Sequence, residues 1–168
     1  QRGWIFQPSD RSWWRGDEAA AGMQDVWIDF ASKETGTPAQ LHGLWSPHER
    51  FDKDTKAPVL LYLHGARFNV VGSAFRARRM QELGFSVLAV DYRGWGESSR
   101  LLPSEQSIME DAERTWAEFT RRAPDAHSRV IFGHSMGSGV AVELALRYRD
   151  PLAYGALVIE SGMTSMPD

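Results

Sequence analysis

Five consecutive residues, Gly133-His134-Ser135-Met136-Gly137, combine a serine with flanking glycines at the spacing of a nucleophile elbow. In such an elbow a tight strand-to-helix turn pushes the serine into a strained backbone conformation and exposes its hydroxyl above a sheet. A Cβ at Gly133 or Gly137 would collide with the neighbouring turn or strand, which is why those two positions need glycine. The chain holds 15 glycines, so the pentapeptide alone is only moderately specific. Its surroundings sharpen it. The apolar run Arg129 to Phe132 leads straight in, and a small-residue helix from Met136 to about Arg149 leads out, stopped by Asp150-Pro151.

A serine that attacks a carbonyl creates an oxyanion, which preorganised backbone N–H donors must meet. One donor comes from the residue after the nucleophile, Met136. The other comes from an earlier loop, and His64-Gly65-Ala66-Arg67, leaving Leu61-Tyr62-Leu63, offers Ala66. A third distinctive loop, Asp91-Tyr92-Arg93-Gly94-Trp95-Gly96-Glu97-Ser98, follows the apolar run Phe85 to Val90. All three loops leave strands at the end where open parallel sheets bind ligands.

The elements that would carry these loops are legible in the pattern. Val26, Ile28 and Phe30 alternate with Trp27 and Asp29, and Gln40 to Trp45 follows a polar turn, which predicts a β-hairpin. Val59 to Leu63 is continuously apolar and too short for a helix, as suits a strand covered on both faces. Ser73 can cap a helix to Leu83 with Ala77 and Met80 on its apolar side, and Gly84 suits a left-handed cap. Ser104 caps an amphipathic helix with apolar Ile108, Ala112, Trp116 and Phe119, ended near Pro124. Ala156 to Ile159 is a last strand, apolar on both faces. Strands alternating with helices predict an α/β fold with a mainly parallel sheet and the hairpin as its antiparallel edge.

The three motifs together resemble the α/β-hydrolase superfamily. The likeness is greatest to serine hydrolases similar to monoacylglycerol lipases, lysophospholipases and S33-type serine peptidases, and it runs from about Val26 to Met166. It implies an esterase or lipase in which Ser135 attacks an ester carbonyl, the Met136 and Ala66 amides hold the oxyanion, and water hydrolyses an acyl-enzyme. It implies a purely structural role for the Asp91 to Ser98 turn and for the side chains of His64 and His134. It also implies a nucleophile, acid, histidine order along the chain, with acid and histidine on loops after further strands. The five histidines, His42, His48, His64, His127 and His134, all precede Ser135. Glu160, at the end of the last strand, is a candidate for the acid, while Ser161-Gly162 also reads as an ordinary strand exit.

The chain thus reads as the N-terminal part of one α/β-hydrolase domain (26–168), lacking the last strands, preceded by an aromatic-rich segment (1–25) that packs on it through Trp4, Ile5, Phe6, Trp13 and Trp14. The expected partners are a small-molecule or lipid ester and a complementing C-terminal segment or second chain. The competing reading is a catalytically incomplete fragment, or a non-catalytic domain keeping the fold for binding or assembly. Arg67, Arg76, Arg78 and Arg79 read as a solvated helix face, with recognition of an anionic head group as the alternative.

Composition excludes other classes. At 168 residues with 42% hydrophobic side chains, one core is supportable. A formal charge of −3 gives no field for a phosphate backbone, so nucleic acid is not expected. With no cysteine there is no thiolate zinc site, iron–sulfur cluster or cysteine nucleophile. No metal and no cofactor are expected, because no histidine pair has ligand spacing and no phosphate-binding glycine motif is complete. Gln1 in place of an initiator methionine is compatible with a removed upstream anchor, and tryptophan favours membrane interfaces, so membrane proximity or a periplasmic location stands beside a cytoplasmic one.

Overall fold

The computed structural model describes residues 22–65 and 70–160. Six strands form one sheet: β1 (Gln24–Ala31), β2 (Pro38–Ser46), β3 (Val59–Leu63), β4 (Ser86–Val90), β5 (Arg129–His134) and β6 (Ala156–Glu160), in the order β1-β2-β4-β3-β5-β6. The β1/β2 hairpin is antiparallel and joins the rest through an antiparallel β2/β4 pairing; β4, β3, β5 and β6 run parallel. Helices α1 (Val70–Glu82), α2 (Glu105–Arg122) and α3 (Met136–Arg147) form the crossovers.

Alternation along the inner strands divides the core between the two faces. Leu60 and Tyr62 of β3 join Val87, Ala89 and Phe132 in a cluster with Ala74 and Ala77 of α1. Val59, Leu61 and Leu63 face the other way, with Leu88, Val90 and Ile131, onto Ala112, Trp116 and Phe119 of α2 and Ala141 and Leu144 of α3. All five residues of β3 and all five of β4 are buried, as continuous apolar runs require of strands with helices on both sides.

The start of α2 is set as predicted. Ser104 accepts from the Ser107 amide at 3.0 Å while the Ser107 hydroxyl accepts from the Ser104 amide at 2.9 Å, a reciprocal cap. Gly84 ends the turn after α1 at φ +111°, a conformation that only glycine adopts without strain. Ser73 differs from expectation: α1 begins at Val70, so Ser73 lies within the helix, buried, with its hydroxyl bonded to the Tyr62 phenol. Phe75 of the helix and Leu83 in the turn after it are largely exposed.

At one edge of the sheet β6 pairs, among the described residues, with β5 alone, and all five of its residues are exposed. Leu157, Val158 and Ile159 therefore lie open beside a groove of about 760 Å³ whose walls include Phe75, Arg76, Met80, Phe132, Val158 and Ile159. The aromatic segment at residues 1–21, Ala66, Arg67 and Ser161-Gly162 lie outside the described residues.

Candidate active site

The elbow is built from the end of β5 and the start of α3. Ser135 sits between them at φ 57° and ψ −120°, the one non-glycine residue with positive φ among those described. Such a conformation costs about 1–3 kcal/mol and persists only where the surroundings over-determine it. The surroundings do so here. The Ser135 amide donates to the Glu160 carbonyl at 2.9 Å, and the Ser135 carbonyl accepts from the Ser138 amide at 2.8 Å. A Cβ on Gly137 would stand 2.0 Å from the Leu63 carbonyl oxygen, and one on Gly133 would stand 2.4 Å from the Gly137 carbonyl oxygen. The turn is thus pressed between β3 and α3 with no room for side chains on either glycine.

Met136 opens α3, so its amide has no acceptor within the helix. From the other side the β3 exit loop comes close to Ser135: a Cβ on Gly65 would lie 3.1 Å from Ser135 Cβ and 3.6 Å from its Oγ. Ala66 follows directly in sequence. The first and third loops meet as well, because β3 and β4 are neighbours. His64 Nε2 lies 2.9 Å from Asp91 Oδ1, both side chains buried, and His64 Nδ1 lies 2.6 Å from the Gly65 carbonyl oxygen. The sequence pattern does not disclose that pairing. Its only trace in the sequence is that both residues immediately follow the carboxyl ends of apolar strands.

The remaining histidines sit in other surroundings. His42 Nε2 is 2.7 Å from Asp25 Oδ1, His48 Nδ1 accepts from the Arg50 amide at 3.1 Å, and His127 is almost fully exposed on a 3₁₀ turn. His134 Nδ1 lies 3.4 Å from Glu160 Oε1. Burial and the neighbouring Arg76 hold the His134 imidazole below its ordinary 6.5, with Glu160 pulling the opposite way. Glu160 stands at the carboxyl end of β6 with its carboxylate ion-paired to Arg76. Arg76 therefore belongs to the margin of the site as well as to the basic helix face, while Arg78 bonds Gln81.

The Asp91 to Ser98 turn is fastened through Arg93. Its amide and Nε donate to the two Asp111 carboxylate oxygens at 2.8 and 2.7 Å, its other nitrogens reach Ser32 and Glu110, and its guanidinium stacks on Phe30. Burial pushes the Asp111 carboxyl up to about 6 against the pull of Arg93. Among the described residues no group of three or more histidine or acidic side chains is gathered in a way that could hold a metal ion, and no helix is long and apolar enough to cross a membrane.

A serine in a strained turn between a parallel strand and a helix, faced by the exit loop of the adjacent strand, is the elbow of the α/β-hydrolase fold. Residues 54–168 match the family described as serine aminopeptidase, S33. The chain belongs to this family. Among curated relatives it is 32% identical over 135 residues to a lysophosphatidylserine lipase, ABHD12, of Danio rerio, an alignment covering 74% of this chain and 35% of the relative. It is 31% identical over 158 residues to the Bos taurus protein of the same name, covering 92% and 33%. The chain thus spans about a third of the length of these relatives. Among solved structures, a soluble variant of monoglyceride lipase from Saccharomyces cerevisiae superimposes with a TM-score of 0.65 at 16% identity, covering 82% of this chain and 43% of that one. That likeness bears on the fold, which is the α/β-hydrolase fold with its N-terminal antiparallel hairpin.

Proposed function

We propose that this chain carries the nucleophile half of a serine hydrolase that cleaves carboxylic esters of lipid type. The observation that carries the reading is Ser135 at φ 57°, held against Gly65 at the carboxyl ends of two adjacent parallel strands. Ser135 Oγ attacks the ester carbonyl, the alcohol leaves, and water releases the acid from the acyl-enzyme. The Met136 and Ala66 amides receive the oxyanion, an interaction worth about 10²–10³ in turnover per donor. The general-base histidine and the acid come from a segment that follows the nucleophile, because all five histidines here precede Ser135 and the carboxylate of Glu160 is occupied by Arg76. The names of the curated relatives favour a lipid ester over a peptide; the elbow itself serves either.

Intact mass measurement before and after a fluorophosphonate reagent tests this reading. Addition of the reagent to wild type and not to Ser135→Ala is the expected result, with hydrolysis of a monoacyl ester faster than that of an aminoacyl anilide. Equal labelling of both proteins, or of neither when every segment of the parent is present, overturns it in favour of a non-catalytic use of the fold.

A further inference from the structure

We propose that the groove between α2 and α3 takes the hydrocarbon tail of the ester, with Gly139 left bare to make room for it; this deepens the ester-hydrolase reading and rests on it. The groove holds about 510 Å³, within the range of small-ligand sites, and its apolar walls are Ile108 and Met109 of α2 and Met136 and Val140 of α3. Val140 is buried, while Ile108, Met109 and Met136 are half-buried and packed on the main core, so the walls are held from behind.

The groove begins beside Ser135. Met136 follows it directly, with Cα atoms about 3.8 Å apart across a trans peptide, so the residue whose amide the ester reading assigns to the oxyanion also gives its side chain to the groove. Gly139 is a second, independent sign. Gly133 and Gly137 are glycines because a side chain would strike backbone, but a Cβ on Gly139 would meet nothing within 4 Å, and its φ is not positive. Glycine inside a helix weakens it, so neither packing nor conformation accounts for this residue. What it leaves is bare helix backbone along the groove, three residues on from Met136, where a chain can lie close. Charge then selects the occupant. Glu105 and Glu143 stand exposed in the lining, and Arg147 is ion-paired with Glu113 and Glu143, so an anionic group is repelled and an uncharged tail is not. The unbranched thioethers of Met109 and Met136 adapt to such a tail.

A chain-length series in the protein with every segment of the parent present tests this. Gly139→Leu puts a side chain into the groove from a position where its Cβ touches nothing, so the fold should be kept, as thermal unfolding checks. Each methylene shut out is worth about fourfold in affinity, so kcat/KM for a dodecanoate ester should fall by about tenfold or more relative to that for a butyrate ester. An equal change for the two esters overturns the proposal. Binding is read without turnover from ¹³C-methyl methionine spectra during titration with decan-1-ol, with Met109 and Met136 assigned by the signals lost in Met109→Leu and Met136→Leu. Both signals should shift and saturate in wild type and stay in place in Gly139→Leu. A shift at Met80, in the groove between α1 and β6, with none at Met109 and Met136 overturns the proposal. So does no shift at all, the result expected if another polypeptide segment fills the groove. If wild type hydrolyses neither ester, the hydrolase reading fails, and the titration still decides whether the groove takes an apolar chain.

Discussion

The amide of Ser135 is bonded to the carbonyl of Glu160 across 2.9 Å, so the backbone of the elbow is tied to the outermost parallel strand as well as to the strand it grows from. The strain at Ser135 is held by that tie and by the crowding at Gly133 and Gly137.

Removing the strain should be measurable. Ser135→Gly keeps the φ of 57° without a Cβ, and relief of a left-handed non-glycine residue should raise unfolding free energy by about 1 kcal/mol in urea titration while abolishing any labelling. A loss of stability would show that the conformation is not strained.

Two glycines of α3 should respond in opposite directions. Gly137→Ala places a Cβ 2.0 Å from the Leu63 carbonyl and should destabilise by about 2 kcal/mol or more through forced separation of β3 and α3. Gly139→Ala meets nothing within 4 Å and should stabilise by about 0.5–1 kcal/mol through helix propensity. Thermal unfolding of the pair checks both signs.

His134 makes stability depend on pH. Its folded-state value lies below the 6.5 of the free side chain, so as pH falls the unfolded chain takes up this proton first. The contribution is complete above about pH 7 and is lost as pH falls through the folded value. His134→Gln should therefore flatten the fall in unfolding free energy between about pH 7 and pH 5; identical slopes in the two proteins would refute it.

The Arg93–Asp111 pair should be costly to break from one side. Asp111→Ala leaves a guanidinium that is 1% exposed with Glu110 as its remaining carboxylate partner, and a loss of about 1.5–3 kcal/mol is expected in chemical unfolding. Replacing both partners together with apolar residues of similar volume should cost less than that single change.

How far the sequence discloses this arrangement depends on where the signal lies. The apolar runs Val59 to Leu63 and Phe85 to Val90 have one compatible reading, and the strands stand where they imply, because a strand buried on both faces leaves no polar alternation to misread. Ser104 is equally plain, with its reciprocal partner three residues on. Ser73 misleads because a cap-forming residue is also tolerated inside a helix when its hydroxyl finds a partner, and Tyr62 is invisible from the local pattern. The elbow is legible because glycine spacing is a local steric demand. The His64–Asp91 and Arg93–Asp111 pairs are not, since an arginine or aspartate reads as exposed until tertiary structure removes the water around it.

The open flank of the sheet gives β6 a meaning beyond its own stability. Its main-chain groups on one side serve β5 and the Ser135 amide, and those on the other side are unclaimed by any described strand. A strand laid along that flank would stiffen the carbonyl that holds the Ser135 backbone while covering Leu157 to Ile159. Capture of such a strand and tightening of the elbow are then a single linked equilibrium, in which each favours the other by the same free energy.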